Sequence, residues 1–319
     1  EPVKTFTTGF GHDLDEYDEA KIVADYCNTE HTEIKLSYKK LTDSLPSILW
    51  HMEFPFGRPS ILSNFLVAGE VKKHVTVAYT GEGSDELFGG YNRYLVFKNN
   101  DSSLSIDKKI ESIPSSFFTT KQDKENYFSS KLLQSQSDDT KPISAFKKLV
   151  KVNQDHELLN QVLLFELKTE IPGAQTWRID RAGSAHALEL REPFLDYELV
   201  EFASSIPASF KINTNNGIKK KYILQKLAKK YLPKQIAERK KFPWGIPYYD
   251  YFINKFLPIA ECVLDKSIMM KRDYLNLNKD SLKNIFSNVL KTKDKNITSK
   301  DVEINDKLLR QIMFLFNLE

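Results

Sequence analysis

Cysteine is nearly absent: Cys27 and Cys262 stand far apart in a chain of 319 residues. Two distant cysteines exclude a disulfide framework and a multi-cysteine zinc site, and they fit a reducing compartment, so a cytoplasmic setting is expected. An excess of one charge is missing too, because 46 Lys and Arg face 43 Asp and Glu for a formal net charge of +3. A balance so near neutrality argues against a nucleic-acid or anionic-membrane partner. Long apolar runs are scarce: Ser60–Gly69 and His74–Tyr79 fall well short of the roughly 20 residues that cross a bilayer. No membrane-spanning segment is expected, and the sequence holds no internal repeat or extended low-complexity tract. What remains, 41% hydrophobic, 12% aromatic and 28% charged, is the make-up of a folded chain long enough for one large domain or two smaller ones.

The sequence opens at Glu1 without a charged-then-apolar leader, so an upstream part is expected to have been removed or left out. Val3–Phe10 is rich in β-branched and aromatic residues and reads as a strand. Asp18–Cys27 opens with two carboxylates and carries Ala20, Val23, Ala24 and Cys27 at helical spacing. Thr32–Ser37 alternates as a strand, Ser44–Met52 and Ser63–Lys73 read as helices, and the apolar run His74–Tyr79 suits a fully buried parallel strand. Strands separated by helices predict an α/β fold with a parallel sheet, whose ligands sit beyond the carboxyl ends of the strands. From Asn99 to Asp139 the composition turns to Ser, Lys, Asp and Gln, marking a connecting region. Helical periodicity then runs through Lys141–Lys168, Thr176–Leu188, Tyr197–Ser204, Lys219–Tyr231 and Pro247–Phe256. The expected domains are therefore an α/β part over 1–98, a connection over 99–140 and a mainly helical part over 141–319.

Three stretches could carry chemistry. Thr80–Arg93 (TGEGSDELFGGYNR) follows the expected buried strand, with Gly81 and Gly83 open to close backbone approach. In it Glu82, Asp85 and Glu86 crowd three carboxylates into five positions, a repulsion that a divalent cation relieves. The alternative is an acidic helix start capped by Ser84 or Asp85 and stopped at Gly89–Gly90. Arg178–Asp196 (RIDRAGSAHALELREPFLD) brings Arg178, Asp180, Arg181 and His186 within about two helical turns. Arginine suits planar carboxylate or phosphate groups, whereas Asp180 and Arg191 could equally form a structural pair and His186 reads as a packed residue. Lys219–Lys221 and Arg239–Lys241 are basic, and the latter precedes the Pro/Trp/Gly loop Phe242–Pro247, where a lysine can be held towards phosphate charge.

In this order, FTTGF, His51 with PFGRPS, GEGSDELFGGY, IDRAGSAHALELREPFLD and RKKFPWGIP together resemble the synthetase domain of the glutamine-hydrolysing asparagine synthetase family. The resemblance implies an ATP-pyrophosphatase α/β fold with helical additions and an AMP-forming ligase. In that chemistry MgATP activates aspartate to β-aspartyl-AMP with release of pyrophosphate, and ammonia then displaces AMP to give asparagine. It implies that Thr8, Gly9, Thr80 and Gly81 carry the nucleotide, that Glu82 takes the proton of the attacking ammonia, and that Asp85 is a Mg²⁺ ligand. Lys241 is the expected lysine at the α-phosphate, and Arg178, Asp180 and Arg181 are expected near substrate or pyrophosphate.

The pyrophosphate loop of that family, SGGLDS or close to it, does not occur between Glu1 and Glu319, and neither does the strand before it. The glutaminase part with its cysteine nucleophile is also absent from this sequence. The expectation is a chain that is truncated or completed by another polypeptide, with ammonia from an accompanying glutaminase and a homo-oligomer or complementing subunit as partner. A non-catalytic homologue that binds a nucleotide or a partner, and a synthetase acting on another carboxylate, are the alternatives. An RNA-modifying relative is disfavoured by the near-neutral charge.

Overall fold

The computed structural model describes residues 1–11, 15–98, 121–134, 144–145, 148–149, 157–215, 217–239, 251–277, 279–291 and 310–317. The chain is α/β and mostly helical, with two small parallel strand pairs among the described residues. It divides into two compact units, one of Glu1–Lys35, Val67–Pro114 and Thr140–Trp244, the other of Leu36–Leu66, Ser115–Asp139 and Gly245–Glu319. Among the described residues no helix is long and apolar enough to cross a membrane.

The first unit opens with strand β1 (Lys4–Gly9), helix α1 (Tyr17–Cys27) and strand β2 (Glu30–Lys35). The strands are parallel, with Lys4 opposite Glu30 and Gly9 opposite Lys35, a geometry that needs a crossover such as α1. Asp18 and Glu19 occupy the first turn of α1, where carboxylates oppose the positive end of the helix dipole. Asn28 closes it in the left-handed conformation at φ 53°, a position that asparagine tolerates better than most residues. Arg239 locks this start, since its Nη2 lies 2.5 Å from Glu16 and 3.6 Å from Glu19.

The second pair is β3 (Val77–Tyr79), followed by helix α2 (Ser84–Phe88) and joined later in the chain by β4 (Glu189–Arg191). Helix α3 (Leu158–Glu170) continues through a π turn (Ile171–Gln175) into α4 (Thr176–Ser184), and β4 follows. Helix α5 (Tyr197–Ser205) and helix α6 (Tyr222–Tyr231) complete the labelled elements. β3 and β4 run parallel, Val77 facing Glu189 and Tyr79 facing Arg191, and the Thr80 N–H extends the ladder to the Arg191 carbonyl at 2.9 Å.

Two sequence expectations change here. The strand expected to be buried over His74–Tyr79 is only three residues long, and Val77 and Tyr79 are 39% and 72% exposed. The reason is one-sided pairing: among the described residues β3 bonds to β4 alone, and the face shared by residues 77 and 79 meets solvent. The helix expected through Leu188 ends at Ser184. Ala187 turns left-handed at φ 56°, and the Leu188 N–H folds back to the Gly183 carbonyl at 2.9 Å. Gly183 is needed there, because a Cβ would lie 2.6 Å from the Leu188 carbonyl oxygen.

Among the described residues, two apolar clusters pack within the first unit. Tyr94 and Phe97 pack with Leu159, Val162 and Leu163 of α3 and with Ala208 and Ile212. Leu87 and Phe88, at the end of α2, pack with Ala203 and Ile206, with Leu167, Val200, Ile223 and Leu224 around them. The second cluster draws α2, α5 and α6 together and leaves the start of α2 free to present polar groups. In the second unit, helices Leu45–Met52 and Leu257–Asp265 each carry a proline in the first turn, where the missing N–H costs nothing. Ile48, Met52, Phe256, Leu264 and Leu315 are buried in that unit, and Phe256 meets Phe316 edge-on at 5.0 Å.

Candidate active site

The loop after β3 and the short helix α2 place the crowded carboxylates of the first unit on different partners. Gly83, left-handed at φ 89°, precedes α2 and Gly89, at φ 67°, ends it. The cap position is Gly83, which has no side chain to offer, so neither Ser84 nor Asp85 stands there. Both side chains turn instead to Lys221, whose Nζ lies 3.0 Å from Asp85 Oδ1 and 2.9 Å from Ser84 Oγ. Lys221 itself is left-handed at φ 49° at the start of α6, an uncommon conformation for a residue with a side chain. Gly90 makes the approach feasible, because a Cβ there would lie 1.7 Å from Asp85 Oδ1 and 2.5 Å from Lys221 Cε. The Lys219–Tyr231 helix of the sequence reading thus begins three residues later, at Tyr222.

Glu82 takes a different cation. Arg178 Nη2 donates to Glu82 Oε1 at 3.0 Å and to Gln175 Oε1 at 2.6 Å. Glu86 is buried, and its Oε1 accepts from the Tyr91 hydroxyl at 2.8 Å and from Gln175 Nε2 at 3.3 Å. Burial raises the Glu86 pKa against the hydrogen bond from Tyr91, and the negative charges of Asp85 and Glu82 raise it further. Glu192, after β4, is pushed up by burial and by the charges of Glu82 and Asp180. The loop therefore gives one carboxylate to a lysine, one to an arginine and keeps one inside the unit.

The remaining expected site residues fall as follows. Gly9 ends β1, and a Cβ there would lie 2.4 Å from the Asp15 carboxylate, which would have to shift. Thr8 precedes it in register with Ile34. Thr80 Oγ1 is buried without a hydrogen-bond partner among the described residues, and a Cβ on Gly81 would meet nothing within 4 Å. The fold gives no reason for Gly81 to be glycine, and it leaves a polar oxygen unsatisfied beside it. Asp180 is exposed on α4 and Arg181 half-buried. Arg191 pairs with Glu189 at 2.8 Å, not with Asp180, while the His186 ring packs where a Cβ on Gly69 would lie 2.9 Å away. Lys241 lies outside the described residues.

Next to the loop stands a purely structural network. Arg93 reaches both oxygens of Glu166 at 2.9 and 2.6 Å, Tyr94 also donates to Glu166, and the guanidinium lies 4.1 Å from the Tyr91 ring centroid. A paired, hydrogen-bonded charge of this kind fixes the turn that follows α2 against α3.

The sequence model of the asparagine synthase family matches residues 1–304. The chain belongs to the asparagine synthase family. Glutamine-hydrolyzing asparagine synthetase 1 of Bacillus subtilis strain 168 is 30% identical over 298 residues, covering 83% of this chain and 46% of that protein. A relative from Mycobacterium bovis, also named for glutamine-hydrolyzing asparagine synthetase, is 28% identical over 276 residues, 76% of this chain and 41% of its own length. The Cricetulus griseus glutamine-hydrolyzing asparagine synthetase is 25% identical over 246 residues, 75% and 33%. The chain thus spans less than half the length of these relatives.

Membership in the asparagine synthase family raises the question of magnesium. Asp85 already faces Lys221, and among the described residues no three His, Cys, Asp or Glu side chains are placed to hold a metal ion.

Sequence reasoning missed Gln175 as a member of this network, named Lys221 only as a lysine that could share the work of Lys241, and did not single out Glu192. Gln175 had one available signal, the Pro172–Gly173 pair inside a helical run, which predicts a disturbed turn. Lys221 had none, because one lysine of three in a row is not distinguished by composition.

Proposed function

We propose that the chain carries the synthetase chemistry of its family on an ATP-pyrophosphatase type of fold. Aspartate and ATP give β-aspartyl-AMP and pyrophosphate. Ammonia then attacks the β-carbonyl carbon, the new C–N bond forms, the C–O bond to phosphate breaks, and AMP leaves with the electron pair. The proton shed by nitrogen goes to Glu82. The observation that carries this reading is the Glu82–Arg178 pair at 3.0 Å, which holds a partly exposed carboxylate in one orientation beyond the carboxyl end of β3. A base fixed in this way loses no time in finding its geometry.

The nucleotide role proposed for Thr80 and Gly81 is supported by the unsatisfied Thr80 hydroxyl and the open space at Gly81. Thr8 and Gly9 belong to the same proposal. Lys241 is proposed to neutralise charge at the α-phosphate, an electrostatic task suited to a compact cation. Asp180 and Arg181 are proposed to line the approach of substrate or pyrophosphate. Asp85, which faces Lys221 here, is proposed as the carboxylate that would hold Mg²⁺ together with substrate phosphates, and no step is routed through the ion. Ammonia from a glutaminase domain or companion chain, and a cytoplasmic setting, complete the proposal.

The test is the nucleotide product of the native full-length protein with aspartate, ammonia and ATP. AMP is expected, and ADP would sink the reading. In the Glu82→Gln variant amide formation should fall by about 10²–10⁴-fold, while aspartate-dependent exchange of pyrophosphate into ATP persists. An unchanged rate of amide formation in that variant would remove Glu82 from its role.

A further inference from the structure

The Glu82–Arg178 pair does not stand alone, and the residue that fixes it is an uncharged one. Glu86, Gln175 and Arg178 are 1%, 5% and 6% exposed, so each must find its polar partners inside the unit. A carboxylate only accepts hydrogen bonds, and a guanidinium only donates. The Gln175 amide lies between the two, with Nε2 on Glu86 at 3.3 Å and Oε1 on Arg178 at 2.6 Å. Only this orientation of the amide satisfies both neighbours. Tyr91 holds the far end by donating to Glu86 at 2.8 Å, and Glu82 accepts at the near end at 3.0 Å.

The backbone is built around this bridge. Pro172 cannot donate a helical hydrogen bond, and the chain answers with a π turn over Ile171–Gln175, closed by the Thr176 N–H on the Ile171 carbonyl. The Thr176 hydroxyl donates to the same carbonyl at 3.0 Å. A π turn inserts one residue, which rotates everything after it by about 100° relative to an uninterrupted helix. Gln175 is the last residue of that turn and Arg178 follows one turn later in α4. Without the inserted residue, the buried faces of α3 and α4 would not share the phase that brings Arg178 and Gln175 to the loop after β3.

We propose that Gln175 is a positioning residue for the ammonia step: its amide locks Arg178 against Glu86, so that Arg178 presents the Glu82 carboxylate to the incoming nitrogen. The proposal rests on the reading of Glu82 given above. It makes a donor and acceptor prediction that size alone does not. Gln175→Leu removes both bonds, and Gln175→Glu sets two carboxylates against each other, whereas the exchange Glu86→Gln with Gln175→Glu restores every donor to an acceptor. In the exchanged pair the amide at position 86 would donate to the carboxylate at position 175, and Arg178 would donate to that same carboxylate. Tyr91 would still find an acceptor in the amide oxygen.

The experiment measures two half-reactions in the native full-length protein and its variants, alongside thermal midpoints. Aspartate-dependent pyrophosphate exchange reports activation, and kcat/KM for ammonia reports amide formation. In Gln175→Leu, exchange should stay within about threefold of wild type while kcat/KM for ammonia falls roughly 100-fold. Gln175→Glu should behave alike, and the exchanged pair should recover to within about tenfold of wild type. Unchanged ammonia kinetics in Gln175→Leu would overturn the proposal. So would an equal loss of both half-reactions tracking a lower midpoint, or an exchanged pair no better than Gln175→Glu. A wild-type protein that forms no AMP overturns instead the reading of Glu82, and the catalytic role of the bridge with it.

Discussion

Lys211 shows how much a single side chain can cost when it is sealed into a core. It is 1% exposed, at the end of the turn Ala208–Lys211, among the apolar groups that include Ala208 and Ile212. Burial drives its pKa from the ordinary 10.5 down to about 8, against the raising effect of the Glu157 carboxylate. Glu157 meanwhile accepts the Ala208 N–H at 2.6 Å and anchors the turn. The folded state therefore gives up this proton at a lower pH, and between pH 8 and 10.5 the unfolded chain binds the extra proton. Stability should rise with pH through that window and be flat below it, where both states are protonated. Lys211→Met should abolish this slope and raise stability at pH 7 by about 1–3 kcal/mol. Urea midpoints measured from pH 7 to 10 check it, and a variant less stable than wild type would show that the ammonium has a partner worth more than its burial.

At the scale of elements, the loop after β3 separates two kinds of glycine. Gly90 is required by the close passage of Lys221 over Asp85, with a Cβ only 1.7 Å from Asp85 Oδ1, whereas a Cβ on Gly81 meets nothing within 4 Å. Gly90→Ala should cost about 1–3 kcal/mol, and Gly81→Ala less than about 0.5 kcal/mol. If Gly81 serves nucleotide approach, Gly81→Ala should nonetheless weaken binding of a non-hydrolysable ATP analogue about tenfold, or 1.4 kcal/mol. Calorimetric titration beside chemical unfolding separates the two, and a Gly81→Ala variant with intact analogue binding would remove that glycine from the site. The same loop shows what was legible beforehand. Helix α1 was readable because its acidic first turn and apolar spacing lie within one local stretch. β4 was not, because apolar spacing continues through Ala187 and Leu188 while the turn at Ala187 depends on the close approach to Gly183. The carboxylate cluster could be named from its spacing, but which carboxylate meets Lys221 and which meets Arg178 depends on residues about 95 to 140 positions away in the sequence, and no local pattern encodes such pairings.

At the scale of the molecule, chain order and spatial order part company, since each compact unit gathers three separated stretches. The second unit closes only when its first and last stretches meet. Tyr38 stacks on Tyr251 at 5.6 Å, the Thr42 hydroxyl reaches Tyr251 at 3.4 Å, and Asn317 Nδ2 donates to the Phe56 carbonyl at 2.5 Å. Ile48 and Met52 from the early stretch and Phe256, Leu264 and Leu315 from the late one are all buried there. Contacts so distant in sequence form late and bear a large loop-closure cost, so the early stretch by itself is expected to lack a closed core. A chain ending at Trp244 keeps every stretch of the first unit and deprives the second of its last. Such a chain should bind a hydrophobic dye strongly, and amides in the helix Leu45–Met52 should lose protection from hydrogen exchange by several orders of magnitude, while those of β1 and β2 keep theirs. Retained protection in Leu45–Met52 would mean that the early stretch folds unaided, and that the late one is an addition to a core already formed.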